Sequence, residues 1–424
     1  MGQAHIRSPR ERARIAAAFY AVAFIGISTG ARGVELPDQM ADYAIDKSTV
    51  GLMFLTFSAG YIACAAANGV LIHHLGIRMH LMVGTALSLG ALALSALRPG
   101  FAIFLILQSV YGFGIGALDA GLNSFLSTLS RSAALLNYFH AFFGVGALAG
   151  PVLAAQMLAW DLPWNAFFGI LAILLVPLLV SMSLYPATEP AGADPVSRPP
   201  ISGALRLSAV WLAAGFLAVY VGLEWSMGNW GFTFLTEARN QPVLTAGWIV
   251  SAFWAGLTLG RFTLNALAER FRVGVVGLSA VCIGGVAVSA LGTWWMPTAT
   301  AATVGMITLG FFLGPLYPTI IAALPGLVPD RLAATAIGVL VAVSIVGGAL
   351  FPYAVGASAQ WIGAWSLPPI CFALAGLLGL FWWRIARRMS TPALAATSVP
   401  TVPLTPSPAA ETSDPDLPAG SQHR

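Results

Sequence analysis

The 424-residue chain is 58% hydrophobic and only 8% charged, with a mean hydropathy of +0.82. A soluble domain carries roughly 25% charge, so a soluble enzyme is excluded and a polytopic membrane protein is expected. The net charge of +4 comes from twenty basic and sixteen acidic residues that do not gather on one soluble face, which argues against nucleic acid as a partner.

About 20 apolar residues suffice to cross a ~30 Å hydrocarbon core. Breaks at Gly, Pro, Asp, Asn and charged clusters divide the chain into twelve such runs, predicting an all-α membrane protein. The helices are expected over 13–41, 48–73, 77–97, 101–127, 134–159, 164–185, 206–236, 243–268, 273–294, 298–324, 331–357 and 363–386. Residues 1–12 are Arg-rich, and the run after them is too long for a signal-peptide core, so it is read as a retained spanning helix. An even number of spans places both termini on one side. The arginines agree, since Arg78, Arg131, Arg198, Arg206, Arg270, Arg272, Arg331, Arg384, Arg387 and Arg388 fall in alternate gaps or at the carboxyl end. This asymmetry predicts cytoplasmic termini in a bacterial-type inner membrane.

The Pro-rich stretch 186–205 is read as a cytoplasmic linker between six-helix bundles at 13–185 and 206–388, and the Ser/Pro/Ala-rich segment 389–424 as a disordered cytoplasmic tail. Cys64, Cys282 and Cys371 each sit inside an apolar run and read as small fillers, not a disulfide framework. His73, His74 and His80 have no accompanying carboxylate or cysteine, so no metal is expected. The sole lysine, Lys47, belongs to no phosphate-cradling loop, and no nucleophile with its base is identifiable. Neither a cofactor nor an enzymatic activity is expected.

The halves look duplicated. Gly146-Ala147-Leu148-Ala149-Gly150-Pro151 on the fifth helix returns as Gly348-Ala349-Leu350-Phe351-Pro352 on the eleventh, roughly 200 positions later. Gly112-Phe113-Gly114-Ile115-Gly116 on the fourth has its counterpart in Gly310-Phe311-Phe312-Leu313-Gly314 on the tenth. Small residues at such spacing let helices approach closely in lipid.

Six plus six spans, a polar central linker and the segment Gly69 to Arg78 after the second helix together resemble the major facilitator superfamily. Finer similarity is to its fucose–proton symporter branch: Gly116-Ala117-Leu118-Asp119-Ala120-Gly121-Leu122-Asn123, Leu136-Asn137-Tyr138-Phe139-His140, Tyr220-Val221-Gly222-Leu223-Glu224 and Phe253 to Arg261. The resemblance implies a carrier that works by alternating access, with the branch favouring sugars and implicating the helix-four acid, here Asp119, in ion coupling. It also implies a gate at Gly69 and Arg78, repeated at Arg261, Glu269 and Arg270. His73 and His74 stand where the family has Asp-Arg, so the gate's salt bridge is not carried over in the first half.

Charges inside the membrane are costly and mark function. Four qualify: Arg32 and Glu35 on the first helix, Asp119 on the fourth and Glu224 on the seventh. Asp119 and Asn123 share a helical face, and Asn137 and His140 enter the fifth helix at similar depth. That cluster either packs two helices together or lets Asp119 and His140 titrate in coupling to protons, with Glu224 as a further coupling candidate. Glu224, with Tyr220, Trp225, Asn229 and Trp230 nearby, offers donors, acceptors and aromatic faces suited to a polyhydroxylated solute. The two tryptophans fit an interfacial belt equally well. Asn123, Asn137, Gln108 and Tyr317 are further candidate solute-lining groups, and Arg32–Glu35 is expected as an intrahelical pair and gate element. The leading expectation is a monomeric, proton-coupled symporter of a sugar or similar small polar solute. Proton-driven efflux of amphiphiles and a transport-inactive receptor remain alternatives.

Overall fold

The computed structural model describes residues 8–129, 132–186, 201–296 and 298–390, and every regular element among them is helical. The expected tail and most of the expected linker lie outside the described residues. Helix α1 spans Pro9–Tyr43, starting where Ser8 accepts a bond from the Glu11 amide and ending at Ala44 in the left-handed region. A short turn, Lys47–Val50, is capped by Asp46, which accepts from the Thr49 amide at 2.6 Å. Those bonds hold the exposed Asp46 carboxyl below the usual carboxylate range.

The next helix, Leu52–Ser95, is interrupted at Gly76, where φ is +73°. Glycine tolerates that conformation without steric cost, and the break yields two crossings, α2 (52–75) and α3 (77–95). There follow α4 (Phe101–Ser127), α5 (Ser132–Ala159), α6 (Trp164–Met182), α7 (Ser208–Thr233), α8 (Val243–Arg270) and α9 (Val275–Trp295). Helix α10 runs Ala299–Leu313 and resumes as Leu316–Ala323. The last two are α11 (Asp330–Ile362) and α12 (Leu367–Ser390). The expected twelve crossings are present, with ends displaced by no more than about five residues. Features the sequence reading lacked are the interruption of α10, a π-helical turn at Phe234–Ala238 and a helical turn at Ile201–Leu205 inside the expected linker.

Helices dominate because hydrocarbon offers no partner to a backbone N–H or C=O, and a helix satisfies its own. Between helices, glycine permits backbone contact. On α1 and α5, a methyl group at Gly26 or Gly30 would strike the carbonyls of Phe143 or Ala147, and one at Gly146 or Gly150 those of Ala23 or Ile27. Helices α2 and α4 meet in the same way at Gly60 and Gly112. In the second half α8 and α10 repeat that contact at Gly256 and Gly310, and α7 and α11 meet at Gly347. The duplicated glycines are therefore duplicated helix contacts.

The first six helices meet the last six along a seam formed by α1 with α7, α5 with α8 and α2 with α11. At the end away from the termini the seam is tight. Gly33 lies directly on the Asn229 backbone, Phe54 meets Trp230 edge-on at 6.3 Å, and Lys47 Nζ pairs with Glu237 at 3.1 Å. The Lys47 amide also donates to Gln360 Oε1 at 3.0 Å. From Val219 to Leu235 every residue except Trp225 is buried. Toward the terminus end the packing loosens, and Gly69, Asn137, His140, Glu269 and Arg270 are exposed.

Substituting Gly112 by leucine is expected to force α2 from α4 and lower unfolding stability by about 1–3 kcal/mol. Gly90→Ala, at a position with nothing within 4 Å, should leave the thermal unfolding midpoint in detergent unchanged or slightly raised.

Candidate functional site

Asp119 projects from the terminus half of α4, and both of its carboxylate oxygens accept hydrogen bonds. Asn123, one turn on, donates from Nδ2 to Oδ1 and to the Asp119 carbonyl, each at 2.9 Å. Tyr61 on α2 donates its hydroxyl to Oδ2 at 2.5 Å. His140 of α5 lies within the electrostatic reach of Asp119 and of Arg261 from the opposite half. Asn137 sits nearly a turn closer to the terminus end and is exposed, outside the Asp119 bonds.

Across the seam, Tyr220 and Glu224 occupy one face of α7, both buried. Arg261 of α8 is the cation facing them, and it interacts electrostatically with Glu224 and Tyr220. Its Nε also donates to the Gly314 carbonyl at 3.4 Å. That carbonyl is open because the residue four positions on is Pro318, which has no N–H to return. The interruption of α10 also places Tyr317, whose ring lies 5.8 Å from that of Tyr220. Tyr317 is within the fields of Asp119, Glu224 and Arg261, and Tyr61 within the field of Tyr317. Two carboxylates, a guanidinium, an imidazole and three phenols thus converge from both halves.

Several expected residues lie elsewhere. Asn229 and Trp230 follow Glu224 by five and six positions, and at about 100° per residue they leave its face. Trp230 donates Nε1 to the Pro352 carbonyl of α11 at 2.7 Å, and Asn229 donates to the Trp225 carbonyl at 2.7 Å. Trp230 is 2% exposed, which also removes it from a lipid-facing belt. Trp225 is half-buried against Gly348. Gln108 is separated from Glu224 altogether, lining a small cavity inside the first half with Ser28, Arg32, Glu35 and Tyr111, room for about one water.

The expected Arg32–Glu35 ion pair does not close within 4 Å among the described residues. The Arg32 guanidinium instead lies 4.1 Å from the ring centroid of Phe57. Glu35 Oε2 accepts from Gln39 at 3.4 Å, while its Oε1 meets no partner among the described residues. Gly69 and the edge-on rings of His73 and His74 sit exposed at the terminus end, with Arg78 half-buried nearby. One residue of the site is absent from the sequence-derived candidates, and another lies elsewhere than its motif implies. Tyr61 was missed, although a phenol within Ala59-Gly60-Tyr61-Ile62-Ala63 is a visible polar intrusion into a small-residue run. Arg261 was grouped with Glu269 and Arg270, yet it lies two turns deeper, beside Glu224.

A family model described as Major Facilitator Superfamily matches residues 18–239. The chain belongs to this superfamily. Among its relatives, Bypass of stop codon protein 6 of Saccharomyces cerevisiae is 25% identical over 88% of this chain and 82% of the relative. A Glucose/galactose transporter of Brucella abortus is 25% identical over 84% of this chain and 90% of the relative. The 3-(3-hydroxy-phenyl)propionate transporter of Escherichia coli is 26% identical over 78% and 83%. The fold is shared with a bacterial homologue of the human lysosomal transporter Spinster, described as inward-facing and unoccupied, at a TM-score of 0.74 and 14% identity over 90% of this chain and 98% of that one. The outward-conformation major facilitator transporter FucP aligns at a TM-score of 0.60 and 17% identity, covering 87% and 98%. This superfamily transporter is a multi-pass membrane protein whose polar groups converge where its two sets of six helices meet.

Trp230→Phe removes the indole bond to Pro352 while keeping the apolar ring. Its expected effect is a loss of about 1 kcal/mol, read as a lowered thermal midpoint, with no change in the arrangement around Glu224.

Proposed function

We propose that this transporter is a proton-coupled symporter of a sugar or similar small polar solute, working as a monomer by alternating access in a bacterial-type inner membrane. The observation that carries the reading is the placement of Asp119, held by Tyr61 and Asn123, opposite the Glu224–Arg261–Tyr220–Tyr317 group of the other half. Glu224 accepts from solute hydroxyls, Arg261 donates to ring or hydroxyl oxygens, and the phenols offer both bonds and flat faces to the C–H side of a sugar ring. Two carboxylates, Asp119 and Glu224, face one arginine, Arg261, and a proton taken up by Asp119 would leave one carboxylate against that cation. A neutral solute suits that balance better than an anionic one.

In this reading the units 13–185 and 206–388 rock about the seam. The tight end, at Gly33, Lys47 and Glu237, faces the periplasm, and the looser terminus end faces the cytoplasm. Cytoplasmic termini, from the arginine asymmetry, make this an inward-open arrangement. The similarity to a glucose/galactose transporter supports the solute class.

Asp119→Asn, reconstituted in proteoliposomes, is expected to abolish accumulation driven by a proton gradient while sparing counterflow exchange; equal loss of both assigns Asp119 a purely structural part. Separately, a panel of sugars, sugar acids and amphiphiles screened by thermal shift should reveal a stabilising neutral sugar. A ligand at a hundred times its Kd contributes about 2.7 kcal/mol, and Glu224→Gln should erase that gain. Binding without flux would favour a receptor, and lowered accumulation of an amphiphile in cells would favour efflux.

A further inference from the structure

Among the described residues four tryptophans are buried, and three of them donate their indole N–H. Trp164 donates to Asp42, Trp230 to the Pro352 carbonyl and Trp382 to the Val276 carbonyl. The fourth, Trp254 of α8, is 2% exposed, and its Nε1 meets no acceptor among the described residues. A buried indole N–H normally has one, and leaving it unmet is costly.

The place of this ring is specific. A methyl group at Gly228 of α7 would lie 2.7 Å from Cζ2 of Trp254 and 3.4 Å from Cε2, the carbon that carries Nε1. Phe143 of α5 meets the same indole edge-on at 6.5 Å. Gly228 lies one turn beyond Glu224, and Phe143 nearly one turn beyond His140. On α8 itself, Trp254 shares a face with Arg261, seven positions on, with Thr258 between them. The indole therefore reaches from α8 to α7 and α5 just on the tight-end side of the site.

Exposure falls at the same level. Along α5 it passes from exposed His140 through half-buried Phe143 to buried Ala147, and along α8 from exposed Arg270 through half-buried Arg261 and Thr258 to buried Trp254 and Ser251. The opening from the terminus end stops at the indole.

We propose that Trp254 is the wall on which the transported solute rests, with Nε1 donating to one of its hydroxyls, and that this wall restricts the site to single-ring solutes. Seven residues of helix place it about 10 Å from Arg261 along α8, and both side chains lean toward the same end of their helix, which preserves the separation. A pyranose fills that gap with bonds at both ends, and a disaccharide exceeds it. The chemistry of the solute rests on the function proposed above, whereas the wall does not depend on it.

The wall is tested without a solute. Cys64, Cys282 and Cys371 are replaced by alanine, and either Thr258→Cys or Ser251→Cys, which flank Trp254 on one stripe of α8, is treated in membrane vesicles with an impermeant methanethiosulfonate. In the vesicle orientation that labels Thr258→Cys, Ser251→Cys should label roughly tenfold more slowly, since a thiol reacts only where it is accessible. Adding Trp254→Ala, or Trp254→Val if the alanine variant does not fold, should remove most of that difference. Equal labelling with Trp254 in place, no labelling of Thr258→Cys in either orientation, or continued protection of Ser251→Cys without the indole overturns the wall. The solute contact is tested by thermal-shift titration with glucose and maltose. Glucose should stabilise the protein and maltose should not, and Trp254→Phe, which keeps a ring but removes the N–H, should weaken glucose binding about fivefold. Unchanged glucose binding in Trp254→Phe, or equal stabilisation by maltose, overturns the contact. Stabilisation by neither sugar overturns the sugar reading and the hydroxyl bond with it, while the expected labelling pattern upholds the wall.

Discussion

Helices in hydrocarbon gain little by hiding apolar side chains from one another, because lipid tails are equally apolar. Association in this protein depends instead on backbones brought into contact at glycine. The α1–α5 and α2–α4 contacts in the first half, and α7–α11 and α8–α10 in the second, are made without side chains between the two helices. Each set of six helices is fixed by such contacts. The seam between the sets combines a few of them with contacts of a different kind, among them an ion pair, an aromatic edge and hydrogen bonds at one end. Strong packing within each half and mixed packing between halves is the arrangement that relative motion requires.

The same solvent governs where charge is tolerated. Three of the ionisable side chains deep in the bundle have company suited to their depth, while Glu35 keeps one oxygen without a partner among the described residues. Asp119 accepts bonds from an amide and a phenol, Glu224 faces Arg261, and Arg32 lies over an aromatic ring. Arg32, Glu35 and Gln108 form a polar pocket enclosed by the first half alone, whereas Asp119 and Glu224 meet groups from both halves. In the proposed rocking motion a group enclosed by one half keeps its surroundings. One shared between halves changes them.

Most of the architecture was legible in the chain. Apolar runs of sufficient length leave a helix as the sole solution, and glycine and proline mark where helices end. The twelve crossings and the internal repeat followed from that. The site was legible in part: Asp119 with Asn123, and Tyr220 with Glu224, are pairs one turn apart on a single helix, which periodicity shows directly. What spacing cannot show is which helices face each other. Tyr61 reaches Asp119 from another helix, and Arg261 finds a free carbonyl because Pro318 breaks the ladder of α10. Conversely, Asn229 and Trp230 are near Glu224 in sequence but on other faces of α7, and their side-chain bonds go to the backbone of α11 and of their own helix. Arg32 and Glu35, three residues apart, are close enough to pair. Phe57 and Gln39 engage them instead.

Lys47 holds the tight end of the seam through its side chain and its amide together, and the sequence contains no other lysine. All of the protein's lysine chemistry therefore resides at one joint, with a carboxylate within 3.1 Å. An acylating or fluorescent amine reagent applied to the intact transporter has one lysine to find besides the α-amino group, and peptide mapping separates the two. Lys47 is partly shielded by its pairing, so under the proposed rocking motion its rate of attachment rises as that joint parts, and the native chain carries a reporter of that motion with no cysteine engineered into it.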